Sequence, residues 1–135
     1  DRRWFGRVLD VAFDSDGGLL VLEDRSGDGD GGTSALDVHS PTGELLATWE
    51  LASDWRSLPA TRARPWGSTV VVSGYGLEPL LLNRATGCAR RIRLASTDGD
   101  GRPIDALPAC DGTELWIFRA RTGSVERFAL PRELR

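Results

Sequence analysis

The chain has 135 residues, 40% of them apolar, with a formal net charge of −3; that is one domain's length with room for its own core, and it disfavours non-specific nucleic-acid binding. No apolar run approaches the ~20 residues that a membrane-spanning helix needs. All 17 basic residues are Arg, and no Met occurs anywhere, so the sequence reads as a fragment or a processed chain.

Short runs of Val, Leu, Ile and Trp, bounded by Gly, Asp, Ser and Pro, predict strands throughout. The first four are 8–13 (VLDVAF), 19–23 (LLVLE), 34–39 (SALDVH) and 44–50 (ELLATWE). "DSDGG" at 14–18 and "SPTG" at 40–43 supply the first and third turns. The second connection, within "EDRSGDGDGGTSALD" (23–37), is about eight residues longer than its counterpart further on. The pattern then recurs. "STVVVS" (68–73) matches "GLLVLE" (18–23), the Thr-Gly turns at Thr42 and Thr86 are 44 residues apart, and "TELWIF" (113–118) repeats "STVVVS" 45 residues on. A second unit would have strands near 58–64, 68–73, 79–84 and 89–95, and a third near 104–109, 113–119 and 124–130. A four-strand unit of about 45 residues is the blade of a β-propeller. The expected fold is therefore all-β, with blades of four antiparallel strands in an incomplete or open ring of about three blades. It forms one repeat region over 1–135, with units at about 8–51, 57–95 and 103–130. Propellers close with four to eight blades, so further blades, copies or a protein partner are needed to complete the ring.

"RVLDVAFDSDGGLLVLED…ALDVHSPTGELLATWEL" resembles an NHL-type β-propeller repeat, closely over 8–51 and loosely over the other units, where "RPWGS" stands in place of the Asp-x-x-Gly turn. The resemblance implies a binding fold, since members mostly bind proteins or RNA and some relatives are enzymes.

Charge is uneven: residues 1–51 balance to −7, 52–96 to +5 and 97–135 to −1. An acidic and a basic end suit either plain solubility or a head-to-tail contact. Counted from Ser26, Asp28, Asp30, Gly31 and Asp37 fall at positions 3, 5, 6 and 12 of a calcium loop, with Ser in place of the first carboxylate. The alternative is a solvated hairpin tip. Asp98, Asp100 and Asp105 offer a second set around "TDGDG". Cys88 would open a rim strand and Cys110 end an axial one. About three strand spacings of ~4.8 Å separate these radii, beyond the ~7 Å reach of a disulfide. His39, the single His, has no nucleophile motif beside it, and Asn83 stands on a third strand rather than an axial one, which disfavours a propeller-hydrolase site. Arg84, Arg90, Arg91 and Arg93 lie on the outer strands of unit two; Arg91 and Arg93 share a face that would guard an edge or dock an acidic partner. Trp49 and Trp116 are expected between blades, and Trp66 and Tyr75 on loops as contact anchors.

The residues point to a non-enzymatic binding or structural module within a larger chain or assembly. A fragment of a propeller hydrolase or lyase with its active site on other blades is the alternative, and a structural part of a phage-tail-like particle is a third reading.

Overall fold

The computed structural model describes residues 7–25, 34–51, 62–74, 78–94, 103–109, 111–119 and 122–130. They form eleven strands: β1 (Arg7–Phe13), β2 (Leu19–Asp24), β3 (Ser34–His39), β4 (Leu45–Leu51), β5 (Arg62–Trp66), β6 (Thr69–Ser73), β7 (Leu80–Asn83), β8 (Ala89–Arg91), β9 (Pro103–Pro108), β10 (Glu114–Arg119) and β11 (Val125–Ala129). Three antiparallel meanders result, β1-β2-β3-β4, β5-β6-β7-β8 and β9-β10-β11. β1 lies against β5, and β9 against β5 and β6. The sheets therefore stack face to face in chain order with their first strands innermost. The chain is all-β, an open stack of three propeller-type blades with four, four and three strands among the described residues.

Turn chemistry fixes the hairpins. The Asp14 N–H donates to Gly18 O at 2.8 Å and the Gly17 N–H to Asp14 O at 3.0 Å. The Asp14 carboxylate accepts from Ser15 N and that of Asp16 from Gly18 N. Gly17 takes φ +83, which L side chains rarely adopt. The equivalent turn of blade 2 is only Gly67–Ser68, because Arg62–Trp66 is strand. This corrects the expected strand at 58–64 and the reading of "RPWGS" as a turn. β5 pairs with β6 alone, so Pro65 removes no ladder bond on its open side.

Two cores follow from the two-residue period of the strands. Leu20, Leu22 and Leu36 of blade 1 meet Ala63, Val70, Val72, Leu80 and Leu82 of blade 2, with Trp49 packed against them. On the other face of blade 2, Val71 and Leu81 meet Ala106, Leu115 and Ile117 of blade 3, with Trp66, Ile92 and Leu94 alongside. Blade 2 is apolar on both faces because both are covered. A fully buried Leu contributes about 1.5–3 kcal/mol, so these two layers hold the stack together.

One expected correspondence is off by a residue. In blade 1 the Gly43 N–H bonds Ser40 O; in blade 2 the Gly87 N–H bonds Asn83 O, and the turn is one residue longer. Ser40 therefore matches Asn83, Val38 matches Leu81, and Val21 matches Val72 through the pairings Val21↔Asp37 and Val72↔Leu80. A slip of one residue changes the face of every side chain. This is why Leu20 points forward to blade 2 whereas Val70 points back to blade 1. Blades 2 and 3 keep the 45-residue offset in their second strands, with Val72↔Ala63 equivalent to Ile117↔Ala106; the first strands are 43 residues apart.

Candidate functional site

The polar side chains that draw the eye in the sequence are mostly spent on holding blades together. Asp10 on β1 accepts from the Ala63 N–H at 2.9 Å and from Arg64 Nη1 at 2.8 Å across the blade 1–2 junction. Asp14 pairs with Arg84 of blade 2, which also bonds Gly67 O; burial lowers the Arg84 pKa below the ordinary guanidinium value. Ser73 Oγ donates to Asp105 Oδ1 at 2.9 Å across the blade 2–3 junction. Asp105 is thus a tie between blades. Asn83 caps its own turn, its Oδ1 accepting from Ala85 N and Thr86 N.

Asp37 stands in the middle of β3, fully buried. Its Oδ1 accepts from Thr48 Oγ1 at 2.6 Å and from Arg25 Nη2 at 3.1 Å. Arg25 also bonds Glu23. Burial alone would lower the Arg25 pKa, but the hydrogen bond it donates to Glu23 and the charges of Glu23, Asp37 and Glu50 outweigh it and raise it. Both of these bonds are to Oδ1, so that oxygen is engaged in holding β4 and Arg25 to β3. Asp28, Asp30, Asp98, Asp100, Tyr75 and Cys110 lie outside the described residues, and no group of three or more metal-ligating side chains occurs among the described ones. The connection from β2 to β3 spans 25–33 and that from β6 to β7 spans 74–79, three residues of difference rather than about eight. His39 is buried, its Nδ1 3.4 Å from Gly43 O within its own turn. Cys88 is an exposed free thiol. Arg90 and Arg91 on β8 and Arg93 beyond it are exposed, while Ile92 and Leu94 turn into the core.

The tryptophans also depart from expectation. Trp66 ends β5 and packs half-buried into the second core, beside the turn at Gly112. It therefore stands on a strand and not on a loop. Trp116 was expected between blades, but it is 40% exposed on the outer face of blade 3, its Nε1–H donating to Glu114 Oε2 at 3.1 Å. Trp49 does lie between blades 1 and 2.

What remains open is the outer face of each end blade. On blade 1, Val8 (46% exposed), Val11 (48%), Phe13 (74%) and Leu45 (37%) are uncovered, while Arg25 lies over Glu23 and Asp37 in the middle of the face. On blade 3, Trp116 and Val125 (47%) are uncovered beside exposed Arg127. The inner counterparts are closed. Val11 corresponds to Ala63 and Ala106, both fully buried; Trp116 corresponds to Leu20 and Val71, both fully buried. A cleft of about 450 Å³ also opens where the turns of blades 1 and 2 meet, lined by Asp14, Asp16, Pro41, Leu46, Ser68 and Arg84. Its charged pair, Asp14 and Arg84, is already mutually engaged.

Comparison with known proteins places no family on the chain: no protein-family model matches, and no curated protein does. A solved structure, described as the crystal structure of the N-terminal domain of Nup159, aligns with 22% identity over 96% of this chain and a TM-score of 0.44. This chain spans 32% of that one. The fold assignment therefore stands on the strand order and blade packing seen in this chain.

Proposed function

We propose that this chain is a non-catalytic, propeller-type binding and structural module that docks through the open faces of its two end blades. One observation carries the reading: the position of Val11 is exposed on blade 1, yet its counterparts Ala63 and Ala106 are fully buried at the two internal junctions. An apolar residue at a repeat position that is covered wherever a neighbour exists marks a place for a neighbour. Fully covering a side chain the size of Phe13 contributes about 1.5–3 kcal/mol. The polar groups support the same reading, since Asp10, Asp14, Asp105 and Arg84 serve blade-to-blade contacts. Dye binding tests it. In dilute solution the wild-type chain binds an apolar fluorescent dye, and the double variant Phe13→Asp/Trp116→Asp stays folded by circular dichroism and loses that binding. A monomeric wild-type chain that binds no dye, or a double variant that unfolds, would show that these faces are core and refute the reading.

A further inference from the structure

We propose that the rim between blades 1 and 2 is a further interaction surface, which takes a short acidic peptide segment of another protein with one apolar side chain seated in a groove. This surface is separate from the end faces described above and depends on neither of them. The groove, about 130 Å³, opens between β4 of blade 1 and β8 of blade 2. That is well above the ~10–15 Å³ that one water needs. Its lining is largely apolar, with Trp49 and Leu51 from blade 1 and Leu80, Leu82 and Ala89 from blade 2. A space of that size and lining suits one branched aliphatic side chain. Arg91 borders the same groove, so the apolar seat has a cation beside it.

Charge selects the occupant. Residues 88–94 contain Arg90, Arg91 and Arg93 and no acid, and all three Arg are exposed. β8 is the last strand of its sheet. A segment lying along it meets Arg90 on one face of the strand and Arg91 and Arg93 on the other. The acids nearby are accounted for. Glu50 borders the groove, but strand alternation carries its side chain to the outer face of blade 1, where its charge acts on Arg25. Glu126 of blade 3 pairs with Arg119. Glu78 Oε1 accepts from the Leu94 N–H at 3.0 Å and offsets one Arg of the three. Asp98 and Asp100 follow in the sequence, outside the described residues. The other rim strands have no basic excess: β4 carries Glu50 alone, and β11 carries Glu126 with Arg127. An acidic peptide fits this rim better than a nucleic acid. The chain as a whole stands at −3, and no exposed aromatic lies among these Arg for a base to stack on.

Fluorescence anisotropy with a dye-labelled synthetic peptide, one Leu flanked by Glu residues, tests the proposal. The peptide binds the wild-type chain, and binding weakens as ionic strength rises from about 0.01 M to about 1 M and the screening length falls from ~30 Å to ~3 Å. Ser in place of the peptide's Leu weakens binding about 10-fold or more. Ala89→Phe, at an exposed position, fills the groove and abolishes the difference between the Leu and Ser peptides. Arg90→Glu/Arg93→Glu stays folded by circular dichroism and weakens binding about 10-fold, because each reversal removes one surface attraction and adds one repulsion. Phe13→Asp/Trp116→Asp and Asp98→Asn/Asp100→Asn bind the peptide as wild type does. The proposal is overturned by no binding at about 1 mM chain, by equal binding of a peptide with Lys in place of Glu or of oligouridylate, or by full binding to Arg90→Glu/Arg93→Glu. An Ala89→Phe variant that still prefers Leu also overturns it. Loss of binding in Phe13→Asp/Trp116→Asp would move the peptide to the end blades, and tighter binding in Asp98→Asn/Asp100→Asn would give the rim to the chain's own acidic stretch; either result overturns the proposal and leaves the end-face reading to its own test.

Discussion

At Gly87 the backbone of blade 2 approaches the Trp49 ring of blade 1. The glycine takes φ +71, and a Cβ built there would lie 2.4 Å from Cζ3 of Trp49 and 3.0 Å from two further ring atoms. Gly87→Ala therefore meets two penalties. The left-handed backbone costs about 1–2 kcal/mol for an L residue. The methyl group must also push aside an indole that packs against the first core, a displacement of the overpacking kind worth about 1–3 kcal/mol. Gly43 separates the two, since it has φ +88 with nothing within 4 Å of a built Cβ. Gly43→Ala should lose about 1–2 kcal/mol and Gly87→Ala about 2–5 kcal/mol, by urea unfolding of wild type and variants side by side. A double-mutant cycle with Trp49→Ala isolates the contact: without the ring, Gly87→Ala should cost no more than Gly43→Ala. Equal losses at the two glycines in the presence of Trp49 would show that the blade 1–2 junction does not have the packing described.

Other substitutions probe the polar ties. Asp37→Ala, which strands Thr48 and removes one of the two carboxylates on Arg25, should cost about 2–4 kcal/mol in the same unfolding assay; a loss below about 0.5 kcal/mol would mean that the carboxylate is not part of the folded structure. Asp10→Ala leaves the N–H of Ala63 without its acceptor and should cost about 1–3 kcal/mol, with Asp10→Asn retaining an acceptor and losing less than half as much; equal losses for the two would contradict the bond. Millimolar calcium should leave the melting temperature unchanged, because Oδ1 of Asp37 is held by Thr48 and Arg25; a rise of several degrees would support Asp28, Asp30 and Asp37 as a ligand set.

Strand positions were largely legible because β-branched and Leu runs between Gly and Asp turns leave few alternatives; β3 falls at 34–39, as its composition implies. β5 was not, because Pro-Trp-Gly reads as a turn unless one knows that the strand has a free edge. Matching Thr42 with Thr86 hid the extra residue of the second turn, and with it the face on which each Leu of blade 2 stands. Asp37 could have been found. It lies inside a predicted strand between Leu36 and Val38, so its side chain belongs to a sheet face and not to a loop. The approach of Gly87 to Trp49 leaves no trace in the sequence, since it joins a turn of one blade to the rim strand of another. The open faces were legible as an unfinished blade count, but not as the particular residues Val11, Phe13 and Trp116.

Hydroxyl-radical footprinting of the dilute, monomeric chain tests the central claim most directly, that the outer faces of the end blades are open for docking. Phe13 and Trp116 should be oxidised readily while Trp49 and Trp66 are protected. Protection of Phe13 and Trp116 as complete as that of Trp49 and Trp66 would contradict the account.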